Sequence, residues 1–382
     1  MCSASRTAEG RELENLNEDI QPGSADSGNL SAIRQLLRRH SPSFRGGAHL
    51  LKTGFTKLIG CSVPIQQAGM AALANPELAA AVSEAGALGM VSVGGFPPEK
   101  VTRELELVRK RTLRPFGANF LIPGLTDEDI QEVSESVRAA SKLARLVEFF
   151  YHEPQAELVK IVHSERALAC WQVGSKVEAG AATDAGCDMI IAQGIEAGGH
   201  IRGRIGLMAL LDQVLSKTDI PVIAAGGISS GRAMAASLAA GAAAVRVGTR
   251  FAAAEEAGAH PVYQRALVKS EAEDTIFTEA FGTGWPNAPH RVTRSSVEAA
   301  QAFQGEEVGQ RYLKSSDEWA PVLRFQPIAV TKEVRGNVEA MPHWAGEGVG
   351  SVRSILPAAK IVDQLSDEAE KLLRRWSSQS FG

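Results

Sequence analysis

The sequence is poor in cysteine, in aromatic residues and in charge of one sign. Its four cysteines (Cys2, Cys61, Cys170, Cys187) are scattered, with no C-x-x-C pair. A disulfide framework is therefore excluded, and three of them sit in or beside apolar runs, where buried free thiols belong. A reducing, cytoplasmic setting is the expectation. The formal net charge is −4 and no block of Lys/Arg stands out, so a nucleic-acid partner is not expected. No apolar run approaches the roughly 18–20 residues of a membrane span. The first 28 residues also lack the apolar core of a secretory signal.

With 44% hydrophobic and 22% charged residues, the composition is that of an ordinary globular protein. Residues 1–45 read as a disordered or loosely helical arm, with LSAIRQLLRRH as its short helix. From about residue 58, short apolar runs alternate with alanine-rich amphipathic segments. The runs are CSVPIQQA (61–68), LGMVSVGG (88–95), PFGANFLI (115–122), RLVEFFY (145–151), ALACWQV (167–173), DMIIAQG (188–194), IPVIAAGG (220–227) and AAVRVGTRF (243–251). Runs of this length without clean alternation suit strands buried on both faces. PELAAAVSEAG reads as a helix ending near Gly86, and Thr126 with Asp129 and Ser175 with Glu178 read as capping boxes.

Eight strand–helix units predict a (β/α)8 TIM barrel of the α/β class over 55–260. A doubly wound sheet would more often carry G-x-G-x-x-G after its first strand, and here CSVPIQQAGM stands instead. Residues 261–382 lose the rhythm and read as a smaller, mainly helical region. AHPVYQRAL and SDEAEKLLRRWSS are its clearest helices, and TEAFGTGWPNAPHRV is a Gly/Pro-rich loop able to fold over the barrel mouth. That loop brings Trp285 and His290 toward the mouth, His290 as a reserve candidate for the base, and MPHWAGEGVG offers Trp344 as a pocket wall.

Barrel chemistry sits at the carboxyl ends of the strands, and that rule collects the unusual residues. Gln66, Gln67, Gly69 and Met70 follow strand one, Asn119 ends strand three and Gln172 ends strand five. Gln193 follows strand six and leads into IAQGIEAGGHIRGRIG (191–206), which spends five glycines around one histidine, His200. Ala225, Gly226 and Gly227 precede a helix expected near Ser229, and Gly248, Thr249 and Arg250 stand one unit later. Glycines and a helix N-terminus at strands seven and eight predict a phosphate cup. Arg250 is either a phosphate partner or a structural ion pair. The amides suit a flat heterocycle, so FMN fits better than a sugar phosphate. Glu148 is the one carboxylate within a core strand, either an orienter of its neighbours or a structural acid lining the barrel. A zinc site from Glu196 and His200 would need a helix that Gly198 and Gly199 oppose, and no metal is expected.

IAQGIEAGGH, PVIAAGGISSG and VRVGTRF, with PIQQAGM and PFGANFLIP before them, resemble the nitronate monooxygenase family over roughly residues 55 to 260. The resemblance implies an FMN-dependent TIM-barrel enzyme. It implies that Gln66, Gly69, Met70, Asn119, Gln172, Gln193 and Gly199 contact the flavin, and that Ala225, Gly226, Gly227, Gly248 and Thr249 hold its phosphate. It makes His200 the catalytic base or a binding group for a nitronate or other small anion, with dioxygen as oxidant and a carbonyl compound and nitrite as products. The EAGGH loop is shared with flavin-type enoyl reductases and NADH:quinone reductases, so an FMN-dependent NAD(P)H reductase is the alternative. Arg202 and Arg204 are substrate or phosphate ligands, or solvated loop charges. A monomer or homodimer is expected.

Overall fold

The computed structural model of the chain describes residues 51–124, 126–313 and 317–378. The arm expected at 1–45, its short helix and Cys2 lie outside the described residues. Strands β1 (Ile65–Gln67), β2 (Gly89–Ser92), β3 (Phe116–Leu121), β4 (Leu146–Phe150), β5 (Leu168–Val173) and β6 (Met189–Gln193) follow in order. After the two-residue β7 (Gly199–His200) come β8 (Val222–Ala225) and β9 (Ala244–Val247). All but β7 join one parallel eight-stranded sheet; β1 pairs with β9, and a bridge from Gln66 to Leu88 closes the ring. This is the (β/α)8 barrel, with crossover helices outside.

Two buried faces explain why the apolar runs lack simple alternation. Along β4, Val147 and Phe149 pack outward against the helices, while Leu146 packs inward. Along β5 the outward pair is Ala169 and Trp171, and Cys170 faces in. The helix Gly54–Ile59 plugs the closed end, putting Phe55 and Ile59 among Leu88, Met90, Met189 and Ile223. Above this apolar plug the inward positions turn polar.

Local signals mostly do what their chemistry dictates. Thr126 and Asp129 form both halves of a capping box. Ser175 accepts the Glu178 N–H, but the Glu178 carboxylate turns back to the Gly174 N–H at 2.7 Å, so that box is half formed. The end of the eighth run, expected as strand, is the short helix Thr249–Ala252.

The barrel's outer layer is completed from far along the chain. The final helix, Ala358–Ser378, packs against Gly231–Ala239 and Pro76–Glu84, the helices after β8 and β1. It fills the eighth helical place, so the chain between β9 and this helix is an insertion. The ends of the insertion are fastened together: the Glu255 N–H donates to the Leu356 carbonyl at 3.1 Å, and the Ala358 N–H to the Glu256 carboxylate at 2.9 Å. Besides the helices Pro261–Lys269 and Arg294–Ala302, the insertion carries five short antiparallel strands. β10 (Thr275–Thr278) and β11 (His290–Thr293) form a sheet with β7, while β12 (Glu307–Leu313), β13 (Glu318–Leu323) and β14 (Val334–Gly336) form another.

Candidate active site

The strand ends open into a cavity of about 360 Å³. Its floor is a buried polar cluster centred on Glu148, which is fully buried. The carboxylate accepts from Gln66 Nε2 at 2.7 Å and Asn119 Nδ2 at 2.6 Å, and it pairs with the Arg246 guanidinium. Isolated, either charge would be costly to bury; paired and hydrogen-bonded, they hold one another in place. Glu148 is thus the orienter among the two roles open to it. Gln66 points into this cluster and does not reach the cavity lining, whereas Asn119 and Arg246 do. Asn119 also accepts from Ser92 Oγ at 3.2 Å.

Two further amides stand at the strand ends. Gln193 Nε2 donates to the His200 carbonyl at 3.0 Å, which leaves its Oε1 buried without a partner. Gln172 Oε1 is in the same condition. Unpartnered buried acceptors beside a cavity are what a ligand's N–H groups would satisfy. Met70, Gly69 and Gly199 line the same space.

The glycine cup forms the next wall. Ala225 ends β8, and Gly226 and Gly227 follow with φ of 119° and 67°, a region an L side chain rarely enters. The helix expected near Ser229 starts at Gly231 with Ser230 as its cap, and its Gly231 N–H is taken by the Glu368 carboxylate at 2.9 Å. Gly248 and Thr249 complete the cup, and Thr249 Oγ1 accepts the Gly346 N–H of the insertion at 3.0 Å.

Opposite the cup stands His200. Its strand pairs with β11 of the insertion, setting His290 beside His200 and Arg291 beside Gly199. The close approach continues at Gly198, where a Cβ would fall 2.4 Å from the Gly346 nitrogen. The imidazole stacks on Trp285 with centroids 4.1 Å apart and meets Trp344 at 5.2 Å and the Tyr151 ring edge at 5.8 Å. Its Nε2 is buried with no hydrogen-bond partner. Burial, with His290 adding a smaller push, takes its pKa down to about 3, so the ring is neutral at ordinary pH.

Several open alternatives close here. Arg202 pairs with Glu178 and Glu153, both at 2.6 Å, and Arg204 is exposed. Arg250 donates to the Ser354 carbonyl at 3.0 Å, a structural tie to the insertion. The Glu196 carboxylate accepts the Leu207 N–H, capping the next helix. His290 is fully buried with both ring nitrogens engaged, by the Ala288 carbonyl and the Phe281 N–H. Three residues escaped the sequence reading. Arg246 lay unremarked inside VRVGTRF, where an inward strand position is its only signal. Tyr151 adopts φ 76° just past β4, which no local pattern announces. His343 is buried beneath the wall, its ring stacked on Tyr263.

A glycine cup, an amide floor and a histidine loop at the carboxyl ends of eight parallel strands define a barrel enzyme built around a bound cofactor. The model of the nitronate monooxygenase family matches residues 52–368; the chain belongs to that family and is a flavin-dependent oxidoreductase. It is 32% identical over 371 residues to a probable nitronate monooxygenase of Staphylococcus aureus (strain MSSA476), covering 85% of this chain and 99% of that protein. Among solved structures it is similar to a nitroalkane oxidase from Streptomyces ansochromogenes, at 30% identity and TM-score 0.67, covering 85% of this chain and 100% of that one. It is also similar to FabK from Thermotoga maritima, at 29% identity and TM-score 0.70, covering 85% and 98%. Among the described residues no helix is long and apolar enough to cross a membrane.

Proposed function

We propose that the chain binds FMN and oxidises nitronates with dioxygen, giving a carbonyl compound and nitrite. One observation carries the reading: a neutral, aromatically enclosed His200 with an unpartnered Nε2 faces the same cavity as the glycine cup and the amide floor. Gly226, Gly227, Gly248 and Thr249 would hold the phosphate, and Gln172, Gln193 and Asn119 would meet the ring. When bound, FMN supplies the redox chemistry, taking electrons from the substrate and passing them to dioxygen. The residues do the rest. The neutral His200 ring would offer its N–H as a hydrogen bond to a nitronate oxygen, and Trp285 and Trp344 pack against the imidazole. A base held near pKa 3 is poorly matched to the weakly acidic carbon of a neutral nitroalkane. Preformed nitronates are therefore the better substrates, and His200 binds rather than deprotonates. A cytoplasmic setting belongs to the same reading, supported by the free thiols of Cys61, Cys170 and Cys187.

The shared EAGGH loop supports a second reading, an FMN-dependent reductase drawing hydride from NAD(P)H for an enoyl thioester or quinone. Anaerobic mixing of the FMN-loaded protein with an alkyl nitronate, and separately with NADH or NADPH, separates the two. Bleaching of flavin absorbance by nitronate, slowed at least about tenfold in His200→Asn, is the expected result; that loss corresponds to about 1.4 kcal/mol of transition-state stabilisation. Rapid bleaching by a nicotinamide alone would overturn the nitronate reading.

A further inference from the structure

Charge is nearly missing from the cavity. Among the described residues lining it, only Arg246 is formally charged, and Glu148 neutralises it from below. The neighbouring guanidiniums are committed elsewhere. Arg202 is shared between two carboxylates, and Arg250 is bound to a carbonyl. Arg291 grips the Ile195 carbonyl from two nitrogens and pairs with Glu347 at 3.1 Å. Among the described residues no lysine reaches the lining. The walls away from the amides are apolar: Phe96, Leu121, Phe150, Tyr263 and Trp344. Trp344 is held rigidly, its indole N–H on the Ile328 carbonyl at 2.8 Å and its own carbonyl accepting from Tyr263.

We propose that the substrate carries one anionic group on an apolar body and no second charge, so that simple alkyl nitronates are preferred over nitronates bearing a carboxylate. The inference rests on the nitronate reading, but its carrying observation is separate: the inventory of charge holds for the whole cavity, whichever part the flavin fills. The His200 ring can donate to one planar anion at the cavity, whereas the unpartnered Gln172 and Gln193 oxygens are acceptors and offer it nothing. A second carboxylate would lose its water with no cation to receive it. Each added methylene, by contrast, gains apolar wall.

Alkanoates are unreactive mimics of nitronates, planar with two oxygens sharing one negative charge. The FMN-loaded protein is titrated with acetate, butanoate and succinate, reading the shift in flavin absorbance. Affinity should rise about fourfold per methylene from acetate to butanoate, the equivalent of burying each in an apolar site. Succinate should bind at least about tenfold more weakly than butanoate. In turnover, butyl-1-nitronate should exceed propionate 3-nitronate in kcat/KM in the same order. Leu121→Lys, which places a cation on a wall residue at the cavity rim, should narrow or reverse the preference. Equal or tighter binding of succinate, or an affinity flat with chain length, would overturn the inference. If no nitronate is oxidised while butanoate still outbinds succinate, the nitronate reading fails and the charge-poor site stands.

Discussion

The two sides of the cavity are made by different kinds of chain. The cup and floor come from the ends of barrel strands, each residue placed by a ladder that parallel pairing imposes. The opposing wall comes from an insertion whose residues reach the site through contacts distant in sequence, such as β7 with β11 and Thr249 with Gly346. The first side is nearly fixed in kind by what a flavin needs. The second is free to vary, and it adds Tyr263 and Trp344 to apolar walls that Phe96, Leu121 and Phe150 of the barrel begin.

The strongest way to break this division is from below. Glu148→Leu leaves the Arg246 guanidinium buried and unpaired, and should cost about 3–5 kcal/mol of unfolding free energy in a denaturant titration. Adding Arg246→Leu should recover most of it, because the uncompensated charge has then gone. Failure of the double variant to recover would mean that the pair does more than neutralise itself.

A smaller effect tests the seam between the sides. In Gly198→Ala the new methyl meets the backbone of Ala345 and Gly346, neither of which can rotate away. Overpacking of this kind should cost about 1–3 kcal/mol. Gly346 is also bound to Thr249 of the cup, so the Kd for FMN should rise together with the KM for the nitronate. A rise in KM alone would show that the two sides act independently.

The remaining effect is in acid. Burial holds His343 down at about 4 and His200 at about 3, below the ordinary 6.5. The unfolded chain therefore takes up these protons first. Their contribution is complete above pH 6.5 and is lost as pH falls toward 4, by up to about 1.4 kcal/mol per pH unit for each ring. His343→Phe should flatten that slope, as followed by thermal or chemical unfolding between pH 7 and 4. An unchanged slope would place the acid sensitivity outside the wall.

The same division decides what was legible in the sequence. Strand ends, glycines and amides are local features, so the barrel and most of the cavity lining followed from order and spacing. Gln66 shows where that logic stops: it sits in a strand of three residues, and one step along the pleat decides between the cavity and the cluster beneath it. Arg246 was hidden for the same reason, as an inward charge within an apolar run. The insertion's strands are largely edge strands on which burial follows no period-two alternation. Trp285 and Trp344 were legible as candidates, but nothing in their surroundings told which stands beside His200.

The clasp between Glu255 and Leu356 has a consequence for how such enzymes can diversify. The substrate wall leaves and re-enters the barrel at neighbouring points, so it behaves as a cassette hung from a fixed frame. Its exchange for another segment closing across the same clasp would leave strand order and the eighth helix untouched. The adhesions a new cassette must reproduce are the hydrogen bond to Thr249 of the cup and the short pairing with β7, which carries the histidine.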